Sequence, residues 1–275
     1  MLILLPPSET KRDGGEGAPL EQLLAESALS FPELNAIRKR VVAATVSLAR
    51  KPKVCAEVLK LSPKQMGEVD RNKAVKTSPT MPAIDRYTGV LYDGLAAMNL
   101  DENARKFLAE NVMIQSALLG PLGALEPIPA YRLSFDSKLP ALAAGSLKKA
   151  WAEAGRKALA KKLKTEPQLV LDLRSEGYSA LAPLVPSENT VYLRVVTKGE
   201  NGQLRALNHF NKKGKGEFVR ALAKDSAHTS TITTVDELIA WAASKNMIME
   251  RGAEATAEWP TELNLVVSGV VQKLC

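Results

Sequence analysis

The stretch "NKKGKGEFVRALAK", residues 211–224, crowds Lys212, Lys213, Lys215, Arg220 and Lys224 together, with Gly214 and Gly216 between the lysines. Three kinds of chemistry suit it: a grip on phosphate or nucleic acid, a catalytic lysine site, or a solvated basic turn. Glycines permit a tight curve whose N–H groups converge on an anion. A helix beginning near Glu217 adds a favourable dipole end, and Arg220 close to its first turn suits a bidentate phosphate contact. Crowded by like charge, Lys212 or Lys213 is the candidate for a catalytic lysine. Tyr178, Glu176 and His209 are candidate partners for proton exchange, if folding brings them together.

The charge is local. Residues 191–224 carry eight basic and two acidic groups, a balance of +6 within a formal +7 for the chain. Residues 225–275 carry seven acidic and three basic groups, or −4. One region is therefore suited to anions, and the rest is not uniformly basic.

Other polar groups follow apolar runs. Ser8, Thr10, Lys11 and Arg12 come directly after "MLILLP"; Arg174, Ser175, Glu176 and Tyr178 come after "QLVLDL". Both runs read as buried strands, and loops at strand ends are common binding positions in α/β folds. Tyr87, Thr88 and Gly89 precede a predicted helix, and Tyr131 and Arg132 follow a glycine–proline segment.

The elements that must position these groups read as follows. "SFPELNAIRKRVVAATVSLAR" predicts a helix capped by Ser30, with Glu33 at N3 and Pro32 in the first turn. Residues 53–70 read as helix, tight turn, helix, with Ser62, Pro63 and Gln65 forming a capping box. Asp101 caps a helix through Ala104, Phe107 and Leu108. "VMIQSAL" fits either a strand or a helix. "SLKKAWAEAGRKALAKKLK" places Leu147, Trp151, Ala154 and Ala158 on one face, with Lys149, Arg156, Lys157 and Lys164 opposite. "NTVYLRVVTKGENGQLRALNHF" reads as a hairpin turning at Asn201-Gly202, which argues against an all-parallel sheet. A capping threonine opens a helix within "TSTITTVDELIAWAASKN", and "TELNLVVSGVVQKL" supplies a last strand. The expectation is a single mixed α/β domain over residues 1–275, with parallel and antiparallel strands and surrounding helices.

The 275 residues, 45% hydrophobic, supply enough material for a sizeable core. Two cysteines, Cys55 and Cys275, have no metal-ligand spacing, and with two histidines no zinc site and no cofactor are expected. The N-terminus lacks the pattern of a signal peptide, and no stretch of 18 apolar residues exists. The cytoplasm is the expected compartment, no membrane partner is expected, and a monomer is the favoured state. Phosphate-loop, dinucleotide, nucleophile-elbow and zinc-protease signatures are absent.

Five segments in order, "MLILLPPSETK", "RYTGVLYDGL", "LLGPLGALEPIPAYRLSF", "LRSEGYSAL" and "HFNKKGKGEFVRAL", resemble the peroxide stress protein YaaA family. The resemblance implies a mixed α/β domain with a positively charged cleft, DNA binding, and protection against oxidative damage linked to lower free iron. It also implies a helix-hairpin-helix element, corresponding to "VLKLSPKQMGEVDRN", where the hairpin glycines are missing. By position it marks Ser8, Thr10, Lys11, Tyr87, Gly89, Tyr131, Arg132, Ser175, Glu176, Tyr178, Lys212, Lys213, Lys215, Gly216 and Arg220. Lysine stands at 215 where arginine is frequent, and "PPSET" stands where "SPAKT" is often found. The leading expectation is a DNA-binding protein of the peroxide-stress response. The alternative is an enzyme acting on a nucleotide-like or phosphorylated substrate in the same cleft; whether the chain is an enzyme stays open, as does a purely structural role.

Overall fold

A computed structural model describes residues 1–198, 204–205 and 208–267. Its strands are β1 (Leu2–Leu5), β2 (Met81–Pro82), β3 (Val112–Ser116), β4 (Gly120–Gly123), β5 (Pro127–Ile128), β6 (Val170–Asp172), β7 (Thr190–Lys198), β8 (Leu204–Arg205), β9 (Ile248–Arg251) and β10 (Thr261–Val266). The main sheet runs β4-β3-β1-β6-β7-β10-β9, with β8 paired to β7. β3, β1, β6, β7 and β10 are parallel, while β4, β8 and β9 pair antiparallel. The fold is thus an α/β domain with a mixed sheet and helices around it.

Burial explains why the parallel strands form. "LILL" is buried at every position of β1, as "VMIQS" is in β3, because helices cover both faces. Ile3, Leu5, Ile114, Leu171 and Leu193 join one large core, and Leu2, Leu4, Met113 and Val170 a smaller one on the opposite face. The chain leaves β1 and returns as β3 on one side, then as β6 on the other. The strand order reverses there, and the C-terminal ends of β1, β3 and β6 meet at this switch point, the position where open α/β sheets commonly bind ligands.

Several local expectations are met. Ser62 and Gln65 form a capping box on the 3-10 turn Pro63–Gln65, between helices Pro52–Val58 and Gly67–Ala74. Asp101 accepts from Ala104 N at 2.8 Å. Thr234 and Glu237 cap helix Val235–Ser244. Helix Leu147–Thr165 buries Leu147, Trp151 and Ala158. "VMIQS" resolves as a strand because it pairs with both β1 and β4. The hairpin arms pair through Thr197↔Arg205 and Lys198↔Leu204, while Asn201 and Gly202 lie outside the described residues.

Two expectations are corrected. Ser30 does not cap a helix: Phe31 takes a left-handed conformation at φ 57, a 3-10 turn covers Pro32–Leu34, and the long helix is Asn35–Ala49. The Ser30 hydroxyl and amide instead donate to the Glu126 carboxylate. The basic run is also not a turn leading to a helix at Glu217, since one helix spans Asn208–Lys224. Its glycines serve close packing. A Cβ on Gly216 would lie 2.0 Å from Leu91 O, and one on Gly214 3.0 Å from Val195 Cγ1. The backbone of helix Val90–Leu95 occupies the room that a side chain would need, so contact between two backbones outweighs the poor helix propensity of glycine.

Candidate functional site at the strand ends

Lys11 lies in the loop after β1, which ends at Leu5, and pairs with Tyr87 in an isolated bridge. It is buried, 5% exposed, and its Nζ donates to Ser8 O at 2.8 Å and Glu9 O at 3.2 Å. The ammonium group lies 4.0 Å from the ring centre of Tyr131 and 5.2 Å from that of Tyr87. Burial pushes the amine down to about 7, with Glu68 and Glu9 opposing the shift and Arg132 and Arg71 adding to it.

The two tyrosines are brought together by a small sheet. β2 pairs with β5; Tyr87 follows β2 after the helical turn Ala83–Arg86, and Tyr131 lies shortly after β5. Arg86, wholly buried, donates to Ile128 O, Arg12 O and Pro79 O and so ties the loop after β1 to this sheet. The hydroxyls form a chain, with Tyr87 to Tyr131 at 2.8 Å and Tyr131 to Ser116 at 2.7 Å. Ser116, the last residue of β3, also accepts from the amides of Leu118 and Leu119. Burial raises the pKa of both tyrosines, so they remain protonated donors at neutral pH.

Above this lies a polar rim. Thr88 Oγ1 donates to Thr10 Oγ1 at 3.0 Å, and Ser8 Oγ is 3.3 Å from the same atom. Gly89, at φ 97, lets the chain pass close to them; a Cβ there would stand 3.4 Å from both Ser8 Oγ and Thr10 Oγ1. Arg132 bonds the Glu9 carboxylate. Asn72 fixes the Arg132 backbone by exchanging two hydrogen bonds with it, each 2.8 Å. The helix pair that contains Asn72 is thereby tied to the segment that carries Tyr131 and Arg132. Tyr178 packs edge-on against Phe135 at 5.2 Å, and its pKa rises to about 12, mainly through burial. Ser175 precedes the short helix Glu176–Ser179, and exposed Glu176 is 3.5 Å from Arg194.

The basic helix divides. Lys215 turns inward, 7% exposed, and donates to Leu173 O at 2.8 Å, just beyond the end of β6. Burial lowers its pKa to about 8, with Asp172 opposing the shift. Arg220 is half-buried and donates to Leu95 O and Ala96 O, each at 2.9 Å, closing the C-terminal end of helix Val90–Leu95. Lys212 and Lys213 face solvent, and Lys213 pairs with Glu217 at 3.3 Å. The side chain of His209 lies outside the described residues.

The fold therefore brings Ser8, Thr10, Lys11, Tyr87, Tyr131, Arg132 and Tyr178 to one edge, with Lys215 reaching the end of β6 from below. Reading the sequence alone missed Ser116, Asn72, Glu9 and Glu68. Ser116 carried a usable signal, a polar residue ending an apolar run; the others depend on contacts between distant segments. It also missed the buried ion pair behind the edge, where Arg174 grips both oxygens of Asp172 at 2.8 and 2.7 Å. Two surface cavities, of about 510 and 340 Å³, lie elsewhere, the first lined by Ile37, Ala44 and Ala141 and the second by Phe31 and Met113. Among the described residues no group of three His, Cys, Asp or Glu is placed to hold a metal ion. Nor is any helix among them long and apolar enough to cross a membrane.

The profile of the peroxide stress protein YaaA family matches residues 1–245. The chain belongs to the YaaA family. A UPF0246 protein of Corynebacterium glutamicum strain R is 41% identical over 237 residues, 86% of this chain and 90% of that one. A UPF0246 protein of Streptomyces coelicolor is 39% identical over 225 residues, 81% and 82% of the two chains. A UPF0246 protein of Flavobacterium johnsoniae is 27% identical over 221 residues, 77% and 87%. The YaaA match spans every segment that builds the strand-end edge, from the loop after β1 to helix Asn208–Lys224.

Proposed function

We propose that this YaaA-family chain is a DNA-binding protein of the peroxide-stress response, holding phosphates in a basic cleft along the strand-end edge. The observation that carries the reading is the docking of the helix pair Pro52–Val58 and Gly67–Ala74 onto that edge through Asn72 and Arg132. The connection between these helices carries exposed Lys60 and Lys64. Lys60, at φ 54, holds the left-handed conformation that a hairpin glycine otherwise supplies, so the turn forms without the glycine pattern. Its amine reaches Asp136, beside the Phe135 ring that covers Tyr178. Lys60, Lys64, Lys212 and Lys213 are the exposed phosphate contacts in this reading; Ser8, Thr10, Ser175 and Arg132 form the polar floor. Arg194 pairs with Glu262 at 2.6 Å and more loosely with Glu176 at 3.5 Å, and Lys215 and Arg220 brace the helix through bonds to backbone carbonyls.

A fluorescence anisotropy titration with labelled duplex and single-stranded DNA tests this. Affinity is expected to fall steeply between about 50 and 200 mM salt, and replacing both Lys60 and Lys64 by alanine to lower the log–log slope by about 1 to 2. Absence of salt-dependent affinity for either form overturns the proposal.

A second reading, an enzyme acting on a nucleotide-like or phosphorylated substrate, is favoured by one feature: an amine near neutrality beside the Tyr87–Tyr131–Ser116 hydroxyl chain. Turnover that needs Lys11 and survives Lys213→Ala would place that chemistry in the crevice rather than on the basic helix.

A further inference from the structure

We propose that Arg132 is a phosphate-binding subsite whose place for the anion is filled by the Glu9 carboxylate until a ligand's phosphate displaces it. The inference rests on the phosphate-binding part of the reading above and names the side chain that an incoming phosphate must move.

The cations of the strand-end edge differ in what neutralises them. Arg174 pairs with Asp172, Arg194 with Glu262 and Arg71 with Glu68, and each of these carboxylates is itself largely enclosed. Lys11, Lys215 and Arg220 bond to backbone carbonyls. Arg132 differs. Its side chain is 11% exposed, whereas that of Glu9 is 54% exposed. Among the described residues the Glu9 carboxylate is also the one partner of the Arg132 guanidinium. An enclosed cation is thus neutralised by an anion that stands half in water.

That asymmetry makes the pair exchangeable. A guanidinium withdrawn from water needs an anion, because an uncompensated buried charge is costly. Nothing requires the anion to be Glu9, whose carboxylate returns to water when it turns outward. The backbones on both sides are fixed: Asn72 exchanges two hydrogen bonds with that of Arg132, and the Lys11 amine holds Ser8 O and Glu9 O. Only the Glu9 side chain has to move, and it moves toward solvent. A phosphate presents a pair of oxygens to a guanidinium as a carboxylate does, and its other oxygens face the side that Glu9 came from. Ser8 and Thr10 flank Glu9 in the chain, and with Thr88 they supply the hydroxyls of the neighbouring rim. Glu9 is tethered, so it competes at an effective concentration on the order of millimolar. A phosphate held by other contacts as well, as along DNA, overcomes such a competitor; a free phosphate does so poorly.

The test compares the full chain with Glu9→Ala, Arg132→Gln and the double variant. Thermal melting is followed in sodium phosphate and in sodium chloride of equal ionic strength. In chloride, Glu9→Ala is expected to melt below the unaltered chain. Phosphate is expected to raise its midpoint by about 2 °C or more beyond the rise in the unaltered chain. In anisotropy titrations with a labelled duplex, Glu9→Ala is expected to bind about fivefold tighter or more, because the competing anion is gone. That gain is expected to vanish when the double variant is compared with Arg132→Gln. A gain that persists without Arg132 means that Glu9 merely repels DNA, and it overturns the subsite. Equal phosphate responses in Glu9→Ala and the unaltered chain overturn it too, even if Arg132→Gln fails to fold; duplex binding then leaves the DNA reading standing. A larger phosphate response in Glu9→Ala with no duplex binding by any of these proteins supports the subsite and overturns the DNA reading.

Discussion

At the residue scale, the strand-end edge is held by buried polar groups whose partners are specific. Arg174 is the clearest case. Its side chain is 1% exposed and that of Asp172 is 4%, and its guanidinium also reaches Ala182 O at 2.9 Å. Replacing one member of such a pair leaves an uncompensated buried charge, which costs far more than the pair contributes over an apolar pair of equal size. Arg174→Ala is expected to lower stability by about 3–5 kcal/mol in urea denaturation. Asp172 and Ala182 lie near Arg174 in the chain, yet Arg174 reads there as one polar group among several after a strand. Nothing in "DLRSEGY" distinguishes the arginine that folds back on its own strand from the serine and glutamate that face outward.

At the element scale, the basic helix shows how one composition supports two structures. Lysines alternating with glycines fit a phosphate-binding turn, and they also fit a helix whose glycines admit a neighbouring backbone. The second holds because helix Val90–Leu95 lies against it. Gly216→Ala is expected to destabilise by about 1–3 kcal/mol through overpacking, although alanine favours helix. Its Cβ meets backbone that cannot yield, Leu91 O at 2.0 Å and Leu95 N at 2.9 Å. Gly214→Ala meets the tip of a valine side chain at 3.0 Å and is expected to change the midpoint less. Equal midpoints for the two variants in chemical denaturation would contradict this packing.

At the scale of the whole molecule, two lysines of depressed pKa link stability to pH. In the unfolded chain Lys11 holds its proton to about 10.5, in the folded chain only to about 7. Between those values unfolding takes up a proton, so the contribution of Lys11 to stability climbs as pH rises through the window and is smallest below 7. Lys215 acts in the same direction from about 8. The slope for one fully coupled proton is about 1.4 kcal/mol per pH unit. Comparing melting temperatures at pH 7 and 9, we expect Lys11→Met to flatten the rise seen in the unaltered chain. An unchanged pH dependence would mean that Lys11 stays protonated in the fold.

The sequence by itself determined the elements that local physics governs. Apolar runs marked β1 and β6, capping residues opened the helices at Ser62, Asp101 and Thr234, and the hairpin ruled out an all-parallel sheet. The ordered segments carried the family. What only the tertiary structure decided is which charges remain available to a ligand. Lys11, Lys215 and Arg220 look like Lys212 and Lys213 along the chain, yet Lys215 and Arg220 bond to carbonyls brought from elsewhere, Lys11 is covered by the distant rings of Tyr87 and Tyr131, and the last two meet solvent. Desolvation depends on what covers a group, and cover comes from segments up to 125 positions away, as between Arg220 and Leu95.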